Sequence, residues 1–248
     1  MRETEFDLKT ADGTMPVQVF EPYGSPPKGG VILYMDAFGI RPELAGMCRR
    51  YAEAGYAVFL PDLYYRLGKS VGFAIPSSAH QQFDPAMARA NSATTMVMTI
   101  ADTGSLVDHV KGRSTFGIDR FGTVGYCMGA RHALGAAVCH PDAVMAAACL
   151  HGGQMVSDDQ YSPHTCIPRL KGAAYFAFAA NDETCPDAHK AMIEETIAKS
   201  GVRAETEHFA ASHGWTFPTR WCHDPLAAAR VQERVLALFD LEIAGRRG

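Results

Sequence analysis

Hydrophobic positions along this chain form short alternating or continuous apolar blocks, separated by stretches with helical spacing. The opening segment TEFDLKTADGTMPVQVFEP alternates around Asp12-Gly13, a pattern that predicts an antiparallel hairpin at a sheet edge. Prolines from Pro22 to Pro27 end it. VILYMDAFG (31–39) is a compact apolar run suited to a buried parallel strand, PELAGMCRRYAEAG (42–55) has helical spacing and a closing glycine, and YAVFLPDL (56–63) reads as the next strand. Residues 64–83 have loop character, and 84–112 reads as one long helix or a broken pair. Then come strand 121–126, helix 128–139, strands 143–150 and 173–179, helix 186–200, strand 203–209 and a helix from about 225 to 242. This alternation predicts an α/β chain with a mostly parallel central sheet and helices on both faces. Sites on such sheets gather at the carboxyl ends of the strands, and the long excursion over 64–83 is expected to border one.

Composition narrows the picture. The 248 residues are 47% hydrophobic and show no internal repeat or linker, so a single domain over 1–248 is expected. A net charge of −4, without a basic run interleaved with aromatics, argues against nucleic-acid and anionic-membrane partners. The polar start MRETEFDLKTADG and the lack of a long apolar stretch point to a cytoplasmic protein without a membrane span. Seven scattered cysteines without paired spacing are expected to be reduced thiols. His132, His140 and His151 show no metal-ligand spacing, and neither a metal nor an organic cofactor is expected.

One stretch carries chemistry. FGTVGYCMGARHA (121–133) sets Cys127 between Gly125 and Gly129, after an apolar strand and before a small-residue helix. A G-x-C-x-G arises by accident roughly 0.06 times in a chain of this composition, so the strand-to-helix context makes chance a poor account of it. This is the setting of a nucleophile elbow, in which flanking glycines let strand and helix approach closely and the side chain points outward. The helix N-terminus favours a thiolate and offers backbone N–H groups to an oxyanion, chiefly that of Met128. A cysteine nucleophile needs a base, and the base an orienting carboxylate. AYFAFAANDETCP (174–186) puts Asp182 at a strand end, and ETEHFAASHGW (205–215) puts His213 at the next. The chain order Cys127, Asp182, His213 is that of the α/β-hydrolase arrangement.

With these residues in view, the sequence resembles the dienelactone hydrolase family, the cysteine branch of the α/β-hydrolase fold. The resemblance covers nearly the whole chain and rests on the hairpin start, VILYMDAFG, PDLYYR, VGYCMGA, FAANDET and SHGW. It implies a triad of Cys127, His213 and Asp182, and an oxyanion hole formed by the N–H groups of Met128 and Ala37. Well-studied members have a glutamate at the position of Asp36 that holds the resting thiol and helps to form the thiolate; here the acid is one methylene shorter. They also bind a substrate carboxylate through two arginines, for which Arg220, Arg66 and Arg89 compete here. Phe38, Tyr64, Trp215 and Phe217 are expected pocket walls.

The reaction these residues suggest is hydrolysis of an activated small-molecule ester or lactone through a thioacyl-enzyme. A broader carboxylesterase or thioesterase without preference for acidic lactones is the alternative within the enzyme class. A catalytically silent α/β-hydrolase binding module is the alternative outside it. Monomer and homodimer both fit the sequence.

Overall fold

The computed structural model describes residues 1–113 and 115–244. The opening alternation forms β1 (Arg2–Thr10) and β2 (Gly13–Glu21), paired antiparallel with Thr10 opposite Gly13. The continuous apolar blocks form β3 (Gly30–Tyr34), β4 (Ala57–Pro61) and β5 (Phe121–Tyr126), every residue of which is buried. They are followed by β6 (Val144–Leu150), β7 (Ala173–Asn181) and β8 (Arg203–Ser212). The eight strands make one sheet in the order β1-β2-β4-β3-β5-β6-β7-β8, parallel from β4 through β8. The hairpin joins it antiparallel through β2 and β4.

Helices α1 (Pro42–Glu53), α2 (Pro85–Ala93), α3 (Met96–Lys111), α4 (Met128–Cys139), α5 (Asp187–Ser200) and α6 (Pro225–Phe239) fill the connections. Neighbouring residues of β5 show that both faces are covered. Gly122 abuts Phe239 of α6, while the Thr123 hydroxyl donates to Ala133 O of α4 at 3.0 Å. The 84–112 segment is the broken pair. Thr95 caps α3 by accepting from Met98 N at 3.3 Å, and Asp84 caps α2 by accepting from Ala86 N at 2.7 Å. Several boundaries differ from the sequence reading: β3 stops at Tyr34 and β4 at Pro61, short of the expected 39 and 63, because the chain turns away from the sheet after each, with Gly39 N donating to Asp36 O and Tyr65 N to Asp62 O; β7 and β8 run on to Asn181 and Ser212, and α6 gives way at Asp240 to a wider π-type turn ending at Ala244. The sequence reading also missed a 3₁₀ helix over Pro163–Arg169. Its two prolines and short length hide it from any 3.6-residue period.

The strand ends converge on one edge of the parallel sheet. Asp36 to Gly39 follow β3, Tyr64 follows β4, Cys127 follows β5, His151 follows β6, Asp182 follows β7 and His213 follows β8. The 64–83 excursion reaches that edge, as its loop character led us to expect: Gly72 bridges Gly39, and Phe73 N donates to Phe38 O at 3.0 Å. Among the described residues no helix is long and apolar enough to cross a membrane.

Candidate active site

The turn between β5 and α4 is sharp because its glycines are small. A Cβ on Gly125 would fall 2.0 Å from Gly129 O, and one on Gly129 would fall 2.4 Å from Tyr34 O. Between them Cys127 adopts φ 54° and ψ −113°, a conformation costly for a residue with a side chain and held only when its surroundings insist. They do so by hydrogen bonds: Cys127 N donates to Leu150 O at 3.0 Å, and Cys127 O accepts from Ala130 N and Gly153 N at 3.2 Å each. Cys127 is partly exposed as a residue, with Gly153 close enough that a Cβ there would stand 3.9 Å from Sγ.

Asp182 and His213 meet beside it. His213 Nδ1 lies 2.7 Å from Asp182 Oδ2, which leaves Nε2 for the thiol side. The other carboxylate oxygen accepts from Thr184 N at 2.9 Å and from Thr184 Oγ1 at 2.6 Å. Thr184 was missed by the sequence reading; its signal was the spacing two residues after an aspartate, which favours a local turn of this kind. The loop after β8 is tied to β7 by His213 N donating to Asn181 O at 3.1 Å.

Charge at the site is coupled. Burial alone pushes the Cys127 thiol up, but the neighbouring His213 brings it below its ordinary value; Asp36 opposes this and Arg220 assists. Burial likewise disfavours a charged His213, yet the facing Cys127 and Asp182 push it up to about 10. Burial raises Asp182, but His213 and Thr184 hold it below the usual carboxylate range.

Asp36 is fully buried and occupied elsewhere than at the thiol. Arg41 Nη1 donates to Oδ1 at 2.6 Å, Arg41 Nη2 to Oδ2 at 3.0 Å, and Phe38 N to Oδ1 at 3.1 Å. Arg41 also pairs with Glu43, which accepts from Thr219 N and Oγ1 at 2.8 and 2.7 Å. This chain of contacts, buried at Asp36 and open to solvent at Thr219, ties the segment after β3 to the loop carrying His213. No residue pattern in FGIRPEL announces it.

The three arginines separate. Arg66 is not at the site: Asp12, in the hairpin turn, and Asp102 of α3 each accept from its guanidinium at 2.7 Å, a pairing that becomes possible only once the hairpin folds back on α3. Arg89 is exposed on α2 and makes no hydrogen bond or ion pair among the described residues. Arg220 is buried, 4.4 Å over the Phe38 ring, and its Nε has no partner among the described residues. A further buried cation, Arg131, was missed. It lies one helical turn after Cys127 and, among the described residues, is held by neutral groups: Gln154 Oε1 at 2.8 Å and Asn91 O and Oδ1 at 3.1 and 2.7 Å.

Of the expected pocket walls, Tyr64, Trp215 and Phe217 have no accessible surface and pack behind the site, while Phe38 carries Arg220. His151, with φ 37°, packs edge-on to His213 at 5.1 Å and to Trp215 at 5.0 Å, and its Nε2 meets Thr216 Oγ1 at 2.8 Å. Burial holds it well below the usual histidine range, so it faces His213 uncharged.

The chain is similar to several known proteins. A carboxymethylenebutenolidase of Rhodococcus opacus is 28% identical over 118 residues, 47% of this chain and 41% of that protein; the match spans less than half the relative's length. A candidate carboxymethylenebutenolidase of Salmonella typhi is 23% identical over 251 residues, covering 97% of this chain and 82% of its own. The crystal structure of a candidate dienelactone hydrolase from Klebsiella pneumoniae subsp. pneumoniae MGH 78578 superposes with a TM-score of 0.84 at 21% identity, covering 96% of this chain and 98% of that one. This is the α/β-hydrolase architecture. The profile described as the dienelactone hydrolase family matches residues 15–242, and the chain belongs to that family.

Proposed function

We propose that this chain is a carboxylic ester hydrolase that opens an activated ester or lactone through Cys127, His213 and Asp182. The observation that carries the reading is the strained Cys127 at a helix N-terminus facing an imidazole whose far nitrogen is 2.7 Å from a buried carboxylate. The coupled shifts favour a resting thiolate paired with imidazolium. In the reaction the Cys127 thiolate attacks the carbonyl carbon, and the carbonyl oxygen becomes the oxyanion. Two N–H groups suit it: Met128 N–H opens α4, where the helix supplies no acceptor, and Ala37 N–H has no acceptor among the described residues. As the tetrahedral adduct collapses, the C–O bond breaks and His213 Nε2 protonates the leaving oxygen. Water then enters, His213 takes its proton, and the thioacyl bond breaks to release the acid and restore the thiolate.

Asp36 takes no proton in this scheme. With both oxygens on Arg41, its role is to anchor the Ala37 segment, and its charge works against the thiolate. Activation rests on His213. The preferred substrate is anionic: Arg220 and Arg131 are buried near the thiol without a carboxylate partner among the described residues, a costly state for a guanidinium that a bound carboxylate would relieve.

The test compares turnover of p-nitrophenyl acetate and of a carboxylated dienelactone by the natural sequence and by Cys127→Ala. The natural sequence is expected to open the lactone far better than the ester, and the variant to do neither. Turnover of the ester alone would remove the anionic-lactone reading and leave a broader esterase; unchanged turnover by the variant would remove the nucleophile.

A further inference from the structure

Tyr64 lies in the turn that follows β4 and its side chain is wholly buried, with the ring packed edge-on against Phe73 at 6.0 Å. Asp62 Oδ1 accepts from its backbone N at 2.9 Å and fixes where the ring leaves the chain. The hydroxyl donates to Ala37 O at 2.9 Å and sits 3.6 Å from Met128 Sδ, so it joins the residue after Asp36 to the side chain that opens α4.

The contact matters because of what else holds Ala37. The Ala37–Phe38 peptide is clamped at both ends, its oxygen by Tyr64 and its N–H by Asp36 Oδ1 at 3.1 Å. The preceding peptide is held by its own oxygen, Asp36 O, which accepts from Gly39 N at 3.3 Å. Two planes fixed on either side of one residue determine its φ and ψ, and with them the direction of the Ala37 N–H. Removing the Tyr64 hydroxyl frees one plane and leaves a buried carbonyl unpaired.

We infer that Tyr64 is a positioning residue that aims the Ala37 N–H donor at the reacting oxygen, acting through its single hydroxyl rather than by touching substrate. The inference rests on the proposed use of that N–H group in the oxyanion hole. Donors of this kind work by being aimed before charge develops, so a small loss of aim costs rate and not binding. Burial raises the Tyr64 phenol well above its ordinary value, so it remains a donor across the working pH range.

The test uses Tyr64→Phe, which keeps the ring. Two reactions of Cys127 are compared in the intact chain: acylation, read from the burst of p-nitrophenol released by p-nitrophenyl acetate, and alkylation by iodoacetamide, in which the thiolate displaces iodide and no oxyanion forms. Acylation is expected to fall about tenfold, less than the loss of a donor itself. kcat should fall with KM little changed, while the alkylation rate and its pH midpoint stay within about twofold of the natural sequence. Unchanged acylation overturns the inference. An equal fall in both reactions also overturns it, because the hydroxyl would then act on the thiol or on the fold, a distinction that the melting temperature of the variant resolves. If the natural sequence alkylated at Cys127 still hydrolyses the ester, the thioacyl reading and this inference fall together, and that result is visible before any Tyr64 variant is made.

Discussion

Cys127 and Asp36 lie on neighbouring strand ends and carry opposing electrostatics. The imidazole of His213 draws the thiol below its ordinary value, whereas the Asp36 carboxylate pushes it back up. Iodoacetamide alkylation, followed against pH, is therefore expected to show a midpoint for Cys127 below that of a free thiol. Buried Cys48, Cys149 and Cys185, which burial pushes up, should stay unreactive there. The sign for Asp36 follows: removing a negative charge beside a thiolate stabilises it, so Asp36→Asn should move the midpoint further down. A general-base role for Asp36 would move it up, and the direction alone separates the two. The same variant strips Arg41 of its buried partner and should lower stability by about 3 kcal/mol, read calorimetrically.

At the scale of elements, the turn joining β5 to α4 is held by absent atoms. Gly129→Ala would push a methyl group to 2.4 Å from Tyr34 O, a backbone atom of β3 that cannot step aside. The expected cost is about 3 kcal/mol, seen as a lower melting temperature together with lost esterase turnover, because the strand-to-helix approach also sets Cys127. Spacing in the sequence was enough to foresee this turn, since both the glycines and the nucleophile lie within five residues. The break between α2 and α3 was harder to read. Helical periodicity runs through Thr94 and Thr95, and only the cap from Thr95 to Met98 N shows which residue ends the first helix and which begins the second.

Across the whole molecule the placement of cations decides what the site can accept. Arg66 fastens the hairpin turn to α3, so Arg66→Ala should lower the melting temperature without altering kcat/KM for either the carboxylated lactone or p-nitrophenyl acetate. Arg220→Ala is expected to behave in the opposite way. Loss of a charge-assisted hydrogen bond should cost the carboxylated lactone roughly one to two orders of magnitude in kcat/KM and leave the neutral ester within a few-fold. Equal losses for both substrates would point to Arg220 supporting the aromatic packing of Phe38 and Phe217 instead.

Features that depend on near neighbours along the chain are legible in the sequence. Alternating and continuous apolar runs set the order of strands and helices. The hairpin turn and the glycine-flanked cysteine are local steric statements, and the strand-end positions of Asp182 and His213 follow from that order. Tertiary structure alone decided the partners of the charged and polar groups, because a carboxylate or a carbonyl attracts whichever donor folding brings nearest, at any separation in sequence. Thus Asp36 went to Arg41 rather than to the thiol, Arg66 to acids 54 and 36 residues away, and the Tyr64 hydroxyl to Ala37, 27 residues upstream. Arg131 and Arg220 came to rest buried, with no carboxylate partner among the described residues.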